Sequence, residues 1–443
     1  MTASPPQTGG PWRATGTVAA LVVGGLGLAL LGLLLGRADV SVLGAPLVLG
    51  LVWAALTRPT EPGEVVVEGA HQDPDSARVR ASVRLEPPAG SELALLRVGS
   101  PSHRTVDVAV AAPRSRTVGV SVSGVRTGRQ RFFSVVHRET SVGQVVGTAA
   151  IRAGPVTLTV LPRTRPLGHL PLPPRLQGLT GSHDSRRVGD GGDLHDIAPF
   201  TPGDRLRRID WRVTLRESGR GARPGSLTDL HVRRSLATAD AVVTLVLDSR
   251  DDIGRDISTW SGYAELHPEE ATSLDIAREA AASIAKAYLE AGDRVGVVDL
   301  GHHHRPLRPA GGRRHLLRVM HTLATATPSG RARPVVRPPQ VPSGALLIVF
   351  STFLDDQASG LAATWCRHGH RVLALDVLPP LDRGRATTGE RNVYRVVDIE
   401  RADRLWELER AGVETVAWHE LAGDERTLAI GLAARARQRS RPR

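Results

Sequence analysis

The chain has 443 residues, 41% hydrophobic and 23% charged, with a formal net charge of +12. That length and balance exclude a disordered polypeptide and allow two or three domains with a sizeable core. The single Cys366 excludes an internal disulfide and fits a cytosolic soluble part. Lys286 is the only lysine, an arginine bias that points to a GC-rich coding genome rather than to a function.

The first elements are apolar. Thr17 to Gly36 carries no charged side chain, and Val40 to Leu56 forms a second apolar run after Arg37-Ala-Asp39. About twenty such residues cross a hydrocarbon core of about 30 Å as a helix. Residues 1–60 are therefore expected to hold an N-terminal tail and a transmembrane helical hairpin. The first run is too long for a signal-peptide core. Arg13 and Arg58 outside the hairpin, against Arg37 within it, favour both termini in the cytoplasm.

Residues 64–162 show short segments with apolar residues at every second position, such as Ala77–Leu85, Thr105–Val110 and Thr117–Ser123, separated by Gly, Pro and Ser. Alternation is the mark of a half-buried strand, and the spacing predicts an all-β sandwich closed by Pro155–Pro162. Residues 163–238 are expected to be a linker, irregular to about Asp193, ending in a segment built on Pro202-Gly203-Asp204. That segment is Phe200-Thr-Pro-Gly-Asp-Arg-Leu-Arg-Arg-Ile-Asp-Trp-Arg-Val-Thr-Leu-Arg216. Pro-Gly makes a turn, Asp204 accepts backbone hydrogen bonds, and arginines surround Asp210 beside Trp211. The segment fits either a structural clasp or a docking epitope, since Trp and Arg anchor interfaces.

From 239 to 425 strand and helix patterns alternate. Strands are expected at Val242–Leu247, Arg294–Leu300, Ala345–Phe350, Arg371–Leu378 and Val413–Trp418, with helices at Glu269–Ala291, Gly312–Ala326 and Arg401–Ala411. Continuous apolar strands linked by helices imply a doubly wound, mainly parallel sheet covered on both faces. Ligands bind such sheets beyond the carboxyl ends of the strands, here after Leu247 and Phe350. Residues 426–443 form a basic tail.

The segment holding Pro202, Gly203, Asp204, Arg207, Ile209 and Trp211, with Leu230-His-Val-Arg233 and Asp293–Gly301, resembles the bacterial domain of unknown function 58 family. Ala198 and Phe200 depart from it, where relatives carry Arg and Tyr. The resemblance implies a von Willebrand factor A-like α/β domain. It also implies a protein-interaction scaffold or adaptor working with a MoxR-type AAA ATPase in complex assembly or maturation. In that fold the loop after the first strand carries Asp-x-Ser-x-Ser and binds a hard cation such as Mg²⁺. The matching positions here are Asp248, Arg250 and Asp252, with Thr352 in the second loop.

Arg250 puts a fixed positive charge where the cation would sit, or pairs internally with Asp248 or Asp252 in its place. The expectation is thus no resident cofactor. The alternative function is a metal-dependent receptor using the same loops. His302-His-His304 lies in a turn-like segment, with no acidic or Cys companion expected nearby. Cys366 and His368, at i, i+2 on a helix, face different sides. With no nucleophile elbow, phosphate loop or zinc-protease motif, no enzyme is expected. The tail alone gives no platform for specific nucleic-acid binding.

Overall fold

The computed structural model describes residues 4–418 except 74–75, 77, 102, 113, 125, 168–169, 175, 177–180, 182, 219–229, 262–265, 268, 303–305, 329–337 and 385. The basic tail expected at 426–443 and the pair His303–His304 lie outside the described residues. The chain divides into two compact units, Met1–Leu161 with His267–Glu270, and Pro162–Leu266 with Ala271–Arg443.

In the first unit, helices α1 (Gly16–Leu34) and α2 (Ala38–Leu56) form the hairpin, and both are long and apolar enough to cross a membrane. The turn between them uses Gly36 at φ +66°, a conformation that glycine reaches without a Cβ clash. The helices meet at Gly25 and Gly44, where a Cβ on Gly44 would stand 2.5 Å from the Gly25 carbonyl oxygen. Small residues at the crossing let apolar helices touch backbone to backbone, which drives packing when lipid removes the hydrophobic effect.

Two main sheets follow. One has the order Gln7–Thr8, Glu64–Gln72, Arg78–Glu86, Arg116–Ser123; the other runs Trp12–Ala14, Val146–Thr148, Ser134–Ser141, Ser91–Gly99, Val106–Ala111. Val67, Val79, Val83 and Leu85 from the first sheet share one core with Leu96 and Val135 from the second. The N-terminal tail is not a free tail: its two short strands, on either side of Gly9–Pro11, pair one with each sheet. Their brevity hides them from any periodicity.

The second unit opens with residues expected to be an irregular linker, and two corrections are needed. The Pro-rich stretch is strapped to the α/β core: Arg165 N–H donates to Ser283 Oγ (3.0 Å), Tyr288 O–H to the Pro171 carbonyl, and the Arg371 guanidinium to the Leu172 carbonyl (2.6 Å). Next, His183–Pro199 is a 17-residue strand, paired antiparallel with His231–Ala239 through three register irregularities. Its glycines and charges break the alternation that marks a strand in sequence.

The main sheet has six strands in the order Leu307–Ala310, Arg294–Asp299, Val242–Leu247, Leu346–Ser351, Arg371–Asp376, Glu414–Ala417. All neighbours are parallel except the Leu307–Ala310 edge. All six residues of Val242–Leu247 are buried, because helices cover both faces. Val243, Leu245 and Leu247 pack with α4 (Ser273–Glu290) and α5 (Arg313–Thr325). Val242 and Val246 pack in the opposite core with α6 (Asp356–Arg367) and α7 (Thr388–Arg410), with α3 (Trp211–Ser218) preceding in the Pro-Gly-Asp segment. Helix α4 starts at Ser273, later than expected, because Thr272 and Asp275 form a capping box; α7 starts thirteen residues earlier than expected at the box Thr387–Glu390.

Candidate functional site

Two places carry the sequence candidates. The first is the Pro-Gly-Asp segment. Pro202 and Gly203, the latter at φ +109°, form a turn closed by the Asp204 N–H donating to the Thr201 carbonyl (3.0 Å). The Asp204 carboxylate accepts from the Thr201 N–H (2.9 Å), the Thr201 hydroxyl (2.9 Å) and the Arg234 guanidinium (3.1 Å). The Thr201 backbone donor first, then Arg234, holds its carboxyl below the ordinary range. Asp210 caps α3, accepting from the backbone N–H groups of Arg212 (3.1 Å) and Val213 (3.2 Å), and its own N–H donates to the His231 carbonyl (2.8 Å). Thr214, fully buried, accepts from the His231 N–H (3.0 Å).

The segment is therefore fixed, but not as the sequence suggested. Among the described residues the guanidinium paired with Asp210 is that of Arg233, at 3.9 Å and on the following strand, rather than one of the segment's own arginines. Trp211 is 55% exposed, with Leu206 68% and Leu215 63% exposed. Trp211 and Leu215 are one helical turn apart, and Arg205, Arg207, Arg212 and Arg216 are all exposed around them.

The second place is the pair of strand-end loops. Arg250 is 2% exposed and its guanidinium makes five hydrogen bonds. Two go to Asp248 (2.8 and 2.8 Å), two to Asp355 (2.5 and 2.9 Å) and one to Gln357 Oε1 (2.8 Å). Ser351, from the neighbouring strand, donates its hydroxyl to Asp248 Oδ2 (2.7 Å). Burial lowers the guanidinium's pKa, but the carboxylates of Asp248 and Asp355 outweigh that and hold it above its ordinary value.

With Arg250 seated, the residues do not fit a metal. The Asp248 oxygens are taken by the Arg250 guanidinium and the Ser351 hydroxyl. Asp252 accepts from the Leu274 N–H (3.3 Å) at the start of α4, and the Thr352 carbonyl accepts from Arg401 (2.8 Å). Among the described residues no group of three His, Cys, Asp or Glu could hold a metal ion. Asp355, the second carboxylate, also caps α6, accepting from the Gln357 N–H (3.1 Å).

The remaining candidates separate. His302 Nδ1 lies 3.5 Å from Asp299, an acidic neighbour that the turn sequence did not reveal. Cys366 donates to the Ala411 carbonyl (3.4 Å), while His368 ends α6. Lys286 stands 4.0 Å from Glu290 on the surface of α4. In the first unit the sequence missed a buried pair on Ser134–Ser141: His137 and Glu139 are 0% and 1% exposed, with Nε2 3.9 Å from Oε1. Burial pushes the His137 pKa down to about 4 and that of Glu139 up. Polar residues at two inward positions of an alternating strand were the available signal.

Both places fall inside one region of similarity. Residues 196–411 match the family described as "Protein of unknown function DUF58". The chain is 29% identical over 215 residues to uncharacterized proteins of Mycobacterium bovis (Mb1516) and Mycobacterium tuberculosis (Rv1480). That alignment covers 46% of this chain and 60% of each relative. A crystal structure of a carbohydrate esterase family 2 enzyme with its carbohydrate-binding domain covers 84% of this chain and 98% of its own, at 10% identity and a TM-score of 0.20. Likeness at that level carries no argument about fold or activity. Neither the DUF58 description nor the mycobacterial names state a reaction.

Proposed function

We propose that this protein is a membrane-anchored, non-enzymatic interaction scaffold with a von Willebrand A-like domain, docking a MoxR-type AAA ATPase through the Pro-Gly-Asp segment. The observation that carries the reading is the exposure of Trp211. A large apolar side chain exposed at the start of a capped, arginine-flanked helix has the composition of an interface anchor. The three-way anchored Asp204 and capped α3 pre-order the backbone, which lowers the entropy lost on binding. The arginines fit an acidic partner surface with an apolar pocket for the indole. A cytoplasmic ATPase requires the soluble units on the cytoplasmic side, which the arginine balance around the hairpin favours.

The alternative, a metal-dependent receptor at the strand-end loops, needs a cation at Asp248; the seated Arg250 weighs against it. The test is binding of the purified ATPase to the full chain in nanodiscs. Trp211→Ala weakens binding about 30-fold, the effect of losing an anchor worth about 2 kcal/mol. Trp406→Ala, which removes an equally exposed tryptophan on α7, leaves it unchanged. Equal affinity of wild type and Trp211→Ala refutes the docking epitope, and no binding by the wild type refutes the partner.

A further inference from the structure

We propose that Arg250 is a built-in cation, a covalently attached guanidinium that does at this strand-end site the electrostatic work of a divalent ion. The oxygens around it are those a hard cation takes: carboxylates of Asp248 and Asp355 and the amide oxygen of Gln357, with the Ser351 hydroxyl behind Asp248. They come from two loops at the carboxyl ends of adjacent parallel strands. Asp248 follows Val242–Leu247, with its N–H donating to the Phe350 carbonyl (2.9 Å), and Asp355 follows Leu346–Ser351. A charged side chain only 2% exposed is rare unless paired, and here its charge is met by two carboxylates in bidentate geometry.

The guanidinium and a metal ion exclude each other. A cation at Asp248 would stand within a few ångströms of a fixed positive charge and would compete for the same carboxylate oxygens. The arginine cannot be chelated or diluted away, so the two loops stay joined whatever the free Mg²⁺ concentration. This makes the arrangement a permanent cross-brace between strand ends 105 residues apart in sequence. It stands independently of the docking reading above.

Removing the guanidinium leaves an oxygen cage of net negative charge, and this gives the test. Mn²⁺ binding is followed by electron paramagnetic resonance on the full chain in nanodiscs. Wild type takes up no Mn²⁺ in a manner that Asp248→Asn abolishes. Arg250→Ser gains one saturable site, with a Kd on the order of 10⁻³ M or tighter, and Arg250→Ser/Asp248→Asn loses it again. Should Arg250→Ser fail to fold in metal-free buffer, recovery of its folded state by Mn²⁺ supports the proposal and failure to recover overturns it. Asp248-dependent Mn²⁺ uptake by wild type, or a folded Arg250→Ser chain that binds none, also overturns it.

Discussion

Replacing Arg250 by Met removes the charge and keeps an apolar stem of similar length. All five guanidinium hydrogen bonds disappear, and the Asp248 side chain, 8% exposed, keeps the Ser351 hydroxyl but loses its cation. Breaking one partner from a buried ion pair costs about 3–5 kcal/mol, because the remaining charge stays desolvated. Asp355 is 38% exposed, so water screens its share and most of the loss comes from Asp248. We expect about 3 kcal/mol, a large part of the roughly 5–15 kcal/mol that stabilises a domain. A unit of this size loses about 2–4 °C per kcal/mol, which sets a fall in Tm of about 6–12 °C. Urea unfolding followed by tryptophan fluorescence measures the difference. Adding Asp248→Asn to Arg250→Met restores more than half of the loss, since a neutral amide no longer leaves a charge without its partner. A loss below about 1 kcal/mol for Arg250→Met, or a double variant weaker still, would refute the reasoning.

Trp211→Ala and Leu215→Ala leave the stability of the second unit within about 0.5 kcal/mol, as expected for exposed side chains; thermal melts check this, and a larger loss would return Trp211 to a clasp role. Asp204→Ala frees the Thr201 and Arg234 donors and increases hydrogen exchange at 201–204, while α3 keeps its protection through Asp210. Because the Asp204 carboxyl lies below its ordinary range, its contribution to stability is fully present above the unfolded pKa and fades only as pH falls through the depressed folded value. In the first unit, His137 titrates the other way in type but with the same slope. Its pKa is lowered from 6.5 to about 4, so the unfolded chain binds the extra proton and stability drops as pH falls across that window. Glu139, with its raised value, opposes this, and His137→Phe removes the drop; an unchanged pH profile for His137→Phe contradicts the assignment.

The sequence made the central sheet legible because Val242–Leu247 and Leu346–Ser351 are unbroken apolar runs, and burial on both faces is the only way to hide them. The hairpin was legible because α1 and α2 are apolar runs long enough to cross a membrane. The His183–Pro199 ribbon was not, since charge and glycine along a two-stranded element leave no alternation. The sequence left Asp248 or Asp252 as the internal partner of Arg250; the structure pairs it with Asp248, while Asp252 accepts from the Leu274 N–H. Asp355 was not foreseen as a partner, because only the parallel pairing of two strands brings residues 105 apart together. The exposure of Trp211 was equally hidden. Its identity marks it as an anchor, but whether it anchors the chain to itself or to another molecule depends on packing that the sequence alone does not display.

The most direct test of the docking account is photocrosslinking in native membranes, with a benzophenone amino acid at position 211 or, as the matched control, at position 406. The account predicts that position 211 yields an adduct identified by mass spectrometry as a MoxR-type AAA ATPase and that position 406 does not. An ATPase adduct formed at 406 and not at 211, or no ATPase adduct at either position, would contradict it.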